Sequence, residues 1–382
     1  MEVYLDNAAT SHPKPPEVLR AVLTALTEQN GNPGRSGHRR ALAGARVVLS
    51  AREALAGLIN APSPESIVFC SNCTDALNTA IKGSLRVGDH VIASLLEHNS
   101  VLRVLEGLRT RGLIDVTLIA PEPSGEINPE KYASAVRRET SLCILTHASN
   151  VTGAVQPVAA LGQIMRRRGI RYLIDGAQAA GHIPVDVQAL GCDMYAFPGH
   201  KGLLGPQGTG GLYIAPGLPL RTYREGGTGS GSDSMLQPSE RPESFESGTL
   251  NLPGIAGLAA GVELIRDTIG EHMKREKELT RMLWEGLKSM PAVEIYTPSE
   301  ENGRVGVVSF NVGGHLTSSE AADALDTAGI AVRGGIHCAP GTHKWLGTLR
   351  RGAVRASISW QNSEKDIETF LKAVNDIERR LS

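Results

Sequence analysis

Short apolar runs alternate with amphipathic segments from about residue 66 to residue 215. The apolar runs are SIVFC (66–70), HVIASL (90–95), VTLIA (116–120), LCILTH (142–147), RYLID (171–175), MYAF (194–197) and GLYIA (211–215). Intervening segments such as SVLRVLEGLRTRG and PVAALGQIMRRRG have the periodicity of helices. Because strands that alternate with helices build parallel sheets, we expect an α/β domain that binds ligands at the carboxyl ends of its strands.

The pattern changes after residue 252. Two long helical stretches, LPGIAGLAAGVELIRD and HMKREKELTRMLWEGLKSM, are followed by strands and helices in mixed order. This arrangement predicts a second, α+β unit. The predicted division is a large domain at 14–252 and a small domain formed by 1–13 and 253–382.

The charge balance gives no sign of a nucleic-acid or membrane-surface partner, because 39 basic residues face 40 acidic ones. We expect no transmembrane helix, since no window approaches about 18 consecutive apolar residues. The N-terminus MEVYLDNAAT lacks the basic region of a signal peptide. The five cysteines are scattered and odd in number, which argues against a disulfide framework and indicates a reducing compartment, with the cytoplasm as the expected location.

Two charged residues follow buried strands. Asp175 ends the run RYLID, and Lys201 follows MYAF in the glycine-rich turn PGHKGLLG. The ordinary interpretations are a helix N-cap for the aspartate and a solvated surface position for the lysine. Together, however, the two residues match the needs of pyridoxal phosphate: a lysine amine to bind the aldehyde, and a carboxylate to pair with the protonated ring nitrogen.

Two further segments fit the same cofactor. His98, in EHNS, follows a predicted strand, where an imidazole can stack on the ring, although a lone histidine is more often structural. The stretch CSNCTDALNTA follows another strand and opens a helix. The amides near Cys73 and Thr74, with the Thr74 hydroxyl, can hold a phosphate at the helix N-terminus, although the same residues are also ordinary caps.

These residues and several longer motifs resemble the class V aminotransferase family of fold-type I pyridoxal-phosphate enzymes, and within it the group II, SUF-type cysteine desulfurases. The matching motifs span the chain and read YLDNAAT, NPGRSGH, TDALN, EHNS, IDGAQAAGH, GHKGLLGPQGTG, SGTLN and HCAP. The resemblance implies a large domain with a mostly parallel seven-stranded sheet flanked by helices, and a smaller α+β C-terminal domain.

The resemblance also implies roles for individual residues. Lys201 would form the Schiff base, Asp175 would pair with the ring nitrogen, and His98 would stack on the ring. Arg355 would bind the substrate carboxylate, and Cys338 would be the nucleophile. Further contacts to the cofactor are implied for Gln178, Cys73, Thr74, His200, Asn150 and Thr249, with Asn150 also near the substrate and Thr249 reaching the phosphate in the neighbouring subunit of a homodimer.

The implied activity is removal of sulfur from L-cysteine, which gives L-alanine and a persulfide on Cys338. Only 17 positions separate Cys338 from Arg355 (355 − 338 = 17). Group I enzymes have a longer insertion there, so the short span implies a confined cysteine that passes its sulfur to a dedicated acceptor protein or a small thiol. Iron–sulfur cluster assembly, tRNA thiolation and cofactor biosynthesis all remain open as the destination.

Two positions depart from the family pattern. Pro198 stands where a hydroxyl residue commonly contacts the phosphate, and proline offers neither a hydroxyl nor an N–H donor. Asn72-Cys73 replaces a common Gly-Thr pair, and the Cys73 thiol is only a weak donor. Both changes predict a phosphate site with fewer contacts.

Other interpretations remain at this point. A different class V enzyme, such as a selenocysteine lyase, a cysteine sulfinate desulfinase, another C–S lyase or an aminotransferase, would share the cofactor site. His337, Cys338 and His343 together with Cys70 or Cys73 would be needed for a metal site, but their spacing matches no common zinc arrangement, and we expect no metal. His337 is not expected to act as a base for Cys338, because neighbours in an extended loop point apart. Cys338 alone would also fit a small buried hydrophobe.

Overall fold

The computed structural model describes residues 2–34, 37–299 and 303–381. Its strands are β1 (Val3–Tyr4), β2 (Ile67–Cys70), β3 (Asp89–Ser94), β4 (Ile114–Ile119), β5 (Thr140–Thr146), β6 (Arg171–Asp175), β7 (Met194–Pro198), β8 (Gly210–Ile214), β9 (Val293–Ile295), β10 (Val307–Val312), β11 (Ile330–Ala331), β12 (Arg333–Gly335) and β13 (Ala353–Ser357). Its α-helices are α1 (Pro16–Thr27), α2 (Arg39–Leu58), α3 (Cys73–Ser84), α4 (Asn99–Thr110), α5 (Pro129–Ala135), α6 (Val158–Arg168), α7 (Val187–Leu190), α8 (Leu252–Arg266), α9 (Ile269–Lys288), α10 (Ser318–Thr327), α11 (Pro340–Trp345) and α12 (Glu364–Leu381).

The seven apolar runs of the first half form one sheet, in the order β2-β8-β7-β6-β5-β3-β4. All neighbouring pairs are parallel except those of β8, which runs antiparallel to both β2 and β7. The predicted mostly parallel seven-stranded sheet is therefore confirmed. Its central strands are buried on both faces, which explains why they read as continuous apolar runs rather than alternating ones.

Helices on both faces of the sheet bury two apolar cores. Polar residues at the strand ends cap the helices that follow. The Asn72 side chain accepts the Asp75 N–H at the start of α3, and the His98 side chain accepts the Ser100 N–H at the start of α4. Capping therefore fixes these helix N-termini at the carboxyl edge of the sheet, where ligands are expected.

The second half forms a four-stranded antiparallel sheet, in the order β12-β13-β10-β9, with a separate core. Val3 and Leu5, from the start of the chain, pack into this core, and β1 pairs with β11. The division at residue 252 stays a prediction. Because α8 packs into the core of the large sheet, its contacts favour a boundary after Arg266 rather than before this helix.

Among the described residues, no helix combines the length and apolar character needed to cross a membrane.

A buried ion pair connects the two units of the chain. His182, in the turn region after β6, lies 2.9 Å from Oε2 of Glu276 on α9, and the other oxygen of this carboxylate, Oε1, accepts the N–H of Gly306, directly before β10. Burial alone would lower the pKa of His182, but the Glu276 carboxylate more than offsets this effect and raises it.

We expect Glu276→Gln to destabilise the protein in a pH-dependent way. When folding raises the pKa of a histidine, the protonated ring contributes its whole stabilisation at pH values below the pKa of the unfolded state, which is about 6.5. That stability is lost as the pH rises through the higher folded pKa. The wild-type advantage in urea unfolding, about 1.5–3 kcal/mol for a charged hydrogen bond, is therefore expected to be largest near pH 6 and to shrink toward pH 9. A difference that stays constant with pH would contradict the charged pair.

Candidate functional site

A cavity of about 240 Å³ opens at the carboxyl edge of the large sheet. Thr146, Asp175 and Pro198, the last residues of β5, β6 and β7, all line it. The cavity is therefore at the carboxyl ends of the strands, where the alternation of strands and helices predicted a ligand site.

Most of the residues expected to form a cofactor site lie around this cavity. The lining includes Lys201, Asp175, Gln178, His98, Cys73, Thr74, His200, Asn150 and Arg355. Two expected residues do not line it: Cys338 and Thr249. The lining also contains Arg333, His337, Ser100 and the N-terminal residues Ala8 and Ala9, of which only His337 was considered from the sequence.

Burial changes the protonation of the Asp175–Lys201 pair. Burial raises the pKa of Asp175, although the Ala177 N–H, 3.0 Å from Oδ1, and the Lys201 ammonium oppose the shift. Burial also lowers the pKa of Lys201, and Arg355 and Arg333 add to this, while Cys73 and Asp175 oppose it. A lysine with a lowered pKa has more of the free amine that reacts with carbonyl groups.

Several polar groups that line the cavity fit a phosphate group. The amides of Cys73 and Thr74 are the first two of α3, where helical geometry leaves N–H groups without intrahelical acceptors. His200 Nδ1 is buried and has no hydrogen-bond partner within the described part of the chain. Pro198 lines the same cavity and, as the sequence predicts, offers no donor.

The His98 ring has a fixed tautomer. Its Nδ1 accepts the Ser100 N–H at 3.1 Å and lies 2.8 Å from the Ser100 hydroxyl. Burial, then the positive charges of Lys201 and Arg333, lower its pKa to about 4. The ring is therefore neutral near pH 7, with its proton on Nε2 and available to the cavity.

The N-terminal segment, residues 6–14, joins the two sheets at this site. The Ala8 N–H donates to the Ser357 hydroxyl on β13, and the Ala8 carbonyl accepts from Gln178 Nε2 at 3.1 Å. The His200 carbonyl, directly before Lys201, accepts hydrogen bonds from the side chains of Thr10, Ser11 and Lys14. The segment therefore fixes the turn that carries Lys201 relative to the second unit.

Two arginines from the second sheet face the cavity. Arg355 on β13 is 1% exposed; its Nη2 donates to Asp6 Oδ1 at 2.9 Å, and its Nη1 donates to the Asn150 carbonyl. Its buried Nε has no partner within the described residues. Arg333 stands directly opposite it on β12. Like charges at directly opposed positions repel each other. Asp6 offsets one of these two positive charges, so the pair of arginines still suits a carboxylate-bearing ligand.

The loop after β12 holds Cys338 in an unusual backbone conformation. His337 and Cys338 have φ angles of +49° and +55°, a region that side chains other than glycine rarely adopt. Hydrogen bonds hold both peptide units: Asn150 Nδ2 donates to the His337 carbonyl, and the Asn99 N–H donates to the Cys338 carbonyl, each at 2.7 Å. Cys338 is half-buried beside His337, which lines the cavity.

A chain of side-chain hydrogen bonds supports this loop from below. The Thr348 hydroxyl lies 2.8 Å from His343 Nδ1, His343 Nε2 lies 3.4 Å from His337 Nδ1, and His337 Nε2 lies 3.1 Å from the Arg333 carbonyl. Burial lowers the pKa of both histidines, so both are neutral. With both nitrogens of His337 engaged, the ring has no free position to act as a base for Cys338.

The same geometry gives no support to the metal-binding alternative. The two histidine rings contact each other, and in the described ranges no group of three or more His, Cys, Asp or Glu side chains is arranged to hold a metal ion.

Thr249 lies apart, in a second cavity whose lining includes Cys70, Arg224 and Ser247. Thr249 therefore does not contribute to the cavity that Lys201 of the same chain lines.

The fold and the site define the class. A mostly parallel seven-stranded sheet with lysine and aspartate at its carboxyl edge, joined to a smaller α+β unit, is the architecture of fold-type I pyridoxal-phosphate-dependent transferases. The profile of the aminotransferase class-V family matches residues 3–370. The chain belongs to this family, whose members depend on pyridoxal phosphate.

Named relatives within the family agree with one another. The chain is 38% identical to the probable cysteine desulfurase of Methanothermobacter thermautotrophicus, over 98% of this chain and 94% of that protein. It is 32% identical to the probable cysteine desulfurase of Synechocystis sp., over 97% and 90%. The apo structure of cysteine desulfurase from Thermococcus onnurineus NA1 superposes with a TM-score of 0.93 at 33% identity, covering 100% of this chain and 95% of that one.

We expect Thr348→Val to loosen the Cys338 loop. The substitution removes the hydroxyl that His343 Nδ1 accepts and leaves a buried ring nitrogen unpaired, which costs about 1–3 kcal/mol. Alkylation of Cys338 by iodoacetamide, followed by mass spectrometry of the apoprotein, should then become severalfold faster.

Thr342→Val is the matched control for this experiment. Thr342 lies next to His343 in α11, and its hydroxyl is buried but has no hydrogen-bond partner within the described residues. Its removal should leave the alkylation rate unchanged. Equal rates for Thr348→Val and the wild-type protein would show that the hydrogen-bond chain does not hold the loop.

Proposed function

We propose that the protein is a pyridoxal-phosphate-dependent cysteine desulfurase that converts L-cysteine to L-alanine and carries the sulfur as a persulfide on Cys338. The observation that carries the proposal is the convergence of side chains from distant parts of the chain. Lys201, Asp175 and Arg355 line one cavity, and Cys338 directly follows His337, which lines the same cavity. The curated relatives named as cysteine desulfurases support the same activity.

The cofactor proposal depends on how well the cavity fits pyridoxal phosphate. The α3 N-terminus, the Thr74 hydroxyl and His200 would hold the phosphate, and Gln178 the phenolic oxygen. Asp175 would face the ring nitrogen. When bound, this cofactor acts as an electron sink for the bond-breaking at the substrate Cα. His98 would stack on its ring, and Asn150 would lie beside the reacting atoms.

The chain's own residues would then bind and orient the substrate. Arg355 has a buried Nε with no partner among the described residues, and its planar guanidinium suits a carboxylate. Lys201, with a lowered pKa, would exchange places with the substrate amine and then take the Cα proton as a free amine. His98, neutral with its proton on Nε2, would relay protons to the departing three-carbon product.

Sulfur transfer falls to Cys338. Its thiolate would attack the substrate sulfur, forming an S–S bond as the C–S bond breaks, and the electron pair of that C–S bond stays with the three-carbon fragment. Two protons then complete alanine. One L-cysteine and one thiol thus give one L-alanine and one persulfide, so atoms and electrons balance without an external oxidant.

The setting of the loop supports a confined cysteine, as in group II enzymes. Two main-chain hydrogen bonds and the histidine chain hold it close to the cavity. We propose that the persulfide leaves by way of an acceptor protein or a small thiol that comes to the loop. All five cysteines are free, which suits a reducing compartment, and we place the enzyme in the cytoplasm.

We propose a homodimer in which Thr249 completes the phosphate site of the neighbouring subunit. Thr249 lies in the second cavity with Arg224, away from Lys201 of its own chain. A residue that contacts cofactor only across the interface would be placed in this way.

A first experiment tests the cofactor and the lysine together. Purified protein supplied with pyridoxal phosphate should turn yellow, and borohydride should bleach it and attach the cofactor covalently to Lys201, as read by peptide mass spectrometry. Lys201→Ala should not form this adduct. A wild-type protein that stays colourless with excess pyridoxal phosphate would remove the basis of the proposal.

A second experiment tests the reaction. With L-cysteine and dithiothreitol, the wild-type protein should release alanine and sulfide in equal amounts. Cys338→Ala should lose this by about a hundredfold or more, because it removes the nucleophile, while its visible spectrum stays normal. Cys192→Ala, which removes a buried thiol at the amino end of β7, is the control. Sulfide release by Cys338→Ala at the wild-type rate would contradict the persulfide step.

A further inference from the structure

Cys73 places a second thiol inside the cavity, next to Asp175. Its Sγ lies 3.6 Å from Asp175 Oδ1, within hydrogen-bond distance for sulfur, and both residues line the cavity with Lys201. Cys73 is the first residue of α3. Its backbone amide and its side chain contact different groups. The amide belongs to the helix N-terminus, whereas the thiol points to the carboxylate.

The thiol can only be the donor in this contact. Asp175 is an acceptor when ionised, and a thiolate beside it would face a like charge. Burial, followed by the negative charge of Asp175, raises the pKa of Cys73 well above that of an ordinary thiol. The S–H proton is therefore retained near neutral pH, and Cys73 is not a second nucleophile.

The hydrogen bonds of Asp175 are unevenly divided between its two oxygens. Oδ1 accepts both the Cys73 thiol and the Ala177 N–H. Oδ2 has no hydrogen bond to any described residue, and it is not completely shielded from solvent. Two donors on one oxygen fix the rotation of the carboxylate and leave the other oxygen open to the cavity.

We propose that Cys73 is a positioning residue for Asp175, holding the carboxylate by its thiol so that Oδ2 receives the ring nitrogen of the cofactor. This inference rests on the proposed function, since it assumes that pyridoxal phosphate binds here. It gives the Cys73 side chain a partner other than the phosphate. Cys73 stands where the family pattern commonly has a threonine. On this inference its backbone amide still binds the phosphate, and only its side chain has a different role, which is to orient Asp175.

The pair Cys70 and Cys73 is not needed for this role. The two side chains line different cavities, and the Cys70 thiol lies 4.0 Å from the Val68 carbonyl within its own strand. Asp175 is therefore in contact with one of these thiols only.

The test compares ligands with and without the phosphate. Apoproteins of wild type, Cys73→Ala and Cys73→Ser are titrated with pyridoxal phosphate and with pyridoxal, following visible absorbance. A thiol that acts on Asp175 should affect both ligands alike. We expect Cys73→Ala to weaken both by the same factor, about fivefold to tenfold, as for one ordinary hydrogen bond, because a thiol is a weak donor. Cys73→Ser, which keeps a donor, should recover most of the affinity.

A double-mutant cycle with Asp175→Asn identifies the partner. If the thiol acts through the carboxylate, Cys73→Ala should cost little further affinity in the Asp175→Asn background. Cys192→Ala, with no group near the cavity, should match wild type throughout. Thermal unfolding of each apoprotein shows whether a variant is folded before titration.

Each other outcome overturns the inference. A loss confined to pyridoxal phosphate would assign the side chain to the phosphate, and additive losses in the cycle would show that Cys73 acts independently of Asp175. Wild-type affinity for both ligands in Cys73→Ala would show that the thiol does nothing for the cofactor. A wild-type protein that binds neither ligand would instead overturn the proposed function, together with the inference that depends on it.

Discussion

The hydrogen bonds of the N-terminal segment are the constraint on which the site depends. The cavity is built from two sheets with separate cores, and neither sheet alone holds both the lysine and the arginine in place. Residues 6–14 bridge them, contacting β13 on one side and the turn before Lys201 on the other. Because these contacts involve the main-chain N–H of Ala8 and the main-chain carbonyl of His200, they fix backbone positions as well as side chains.

Burial, more than any single charge, determines the chemistry of the cavity. It favours the neutral forms of Lys201, His98 and His200, and it is the largest influence on the pKa of each. Asp175 is buried as well, and the donors on Oδ1 together with the nearby Lys201 offset part of the rise in its pKa. The cavity therefore favours free amine and neutral imidazole, in a setting where a cofactor and a substrate would supply charge.

The sequence predicted the large sheet and the site at its carboxyl edge because both depend on local patterns. Continuous apolar runs mark buried parallel strands, and Asp175 and Lys201 directly follow two of them. Asp6 and Arg333 escaped notice because their positions depend on long-range contacts. Asp6 reaches Arg355 across 349 positions of chain, and Arg333 faces the cavity through its antiparallel pairing with β13. The hydrogen bond from Cys73 to Asp175 likewise joins residues 102 positions apart.

The backbone at His337 and Cys338 shows what the chain gives up for a thiol at this place. A sequence selected for stability alone would favour glycine at position 338, since left-handed backbone costs other residues about 1–3 kcal/mol each. The His337 ring offsets that cost through its hydrogen bonds to His343 and to the Arg333 carbonyl, whereas the Cys338 side chain makes no such bond to the described residues. A stability-guided redesign of this protein would therefore select glycine at position 338 and would remove the thiol proposed to carry the sulfur.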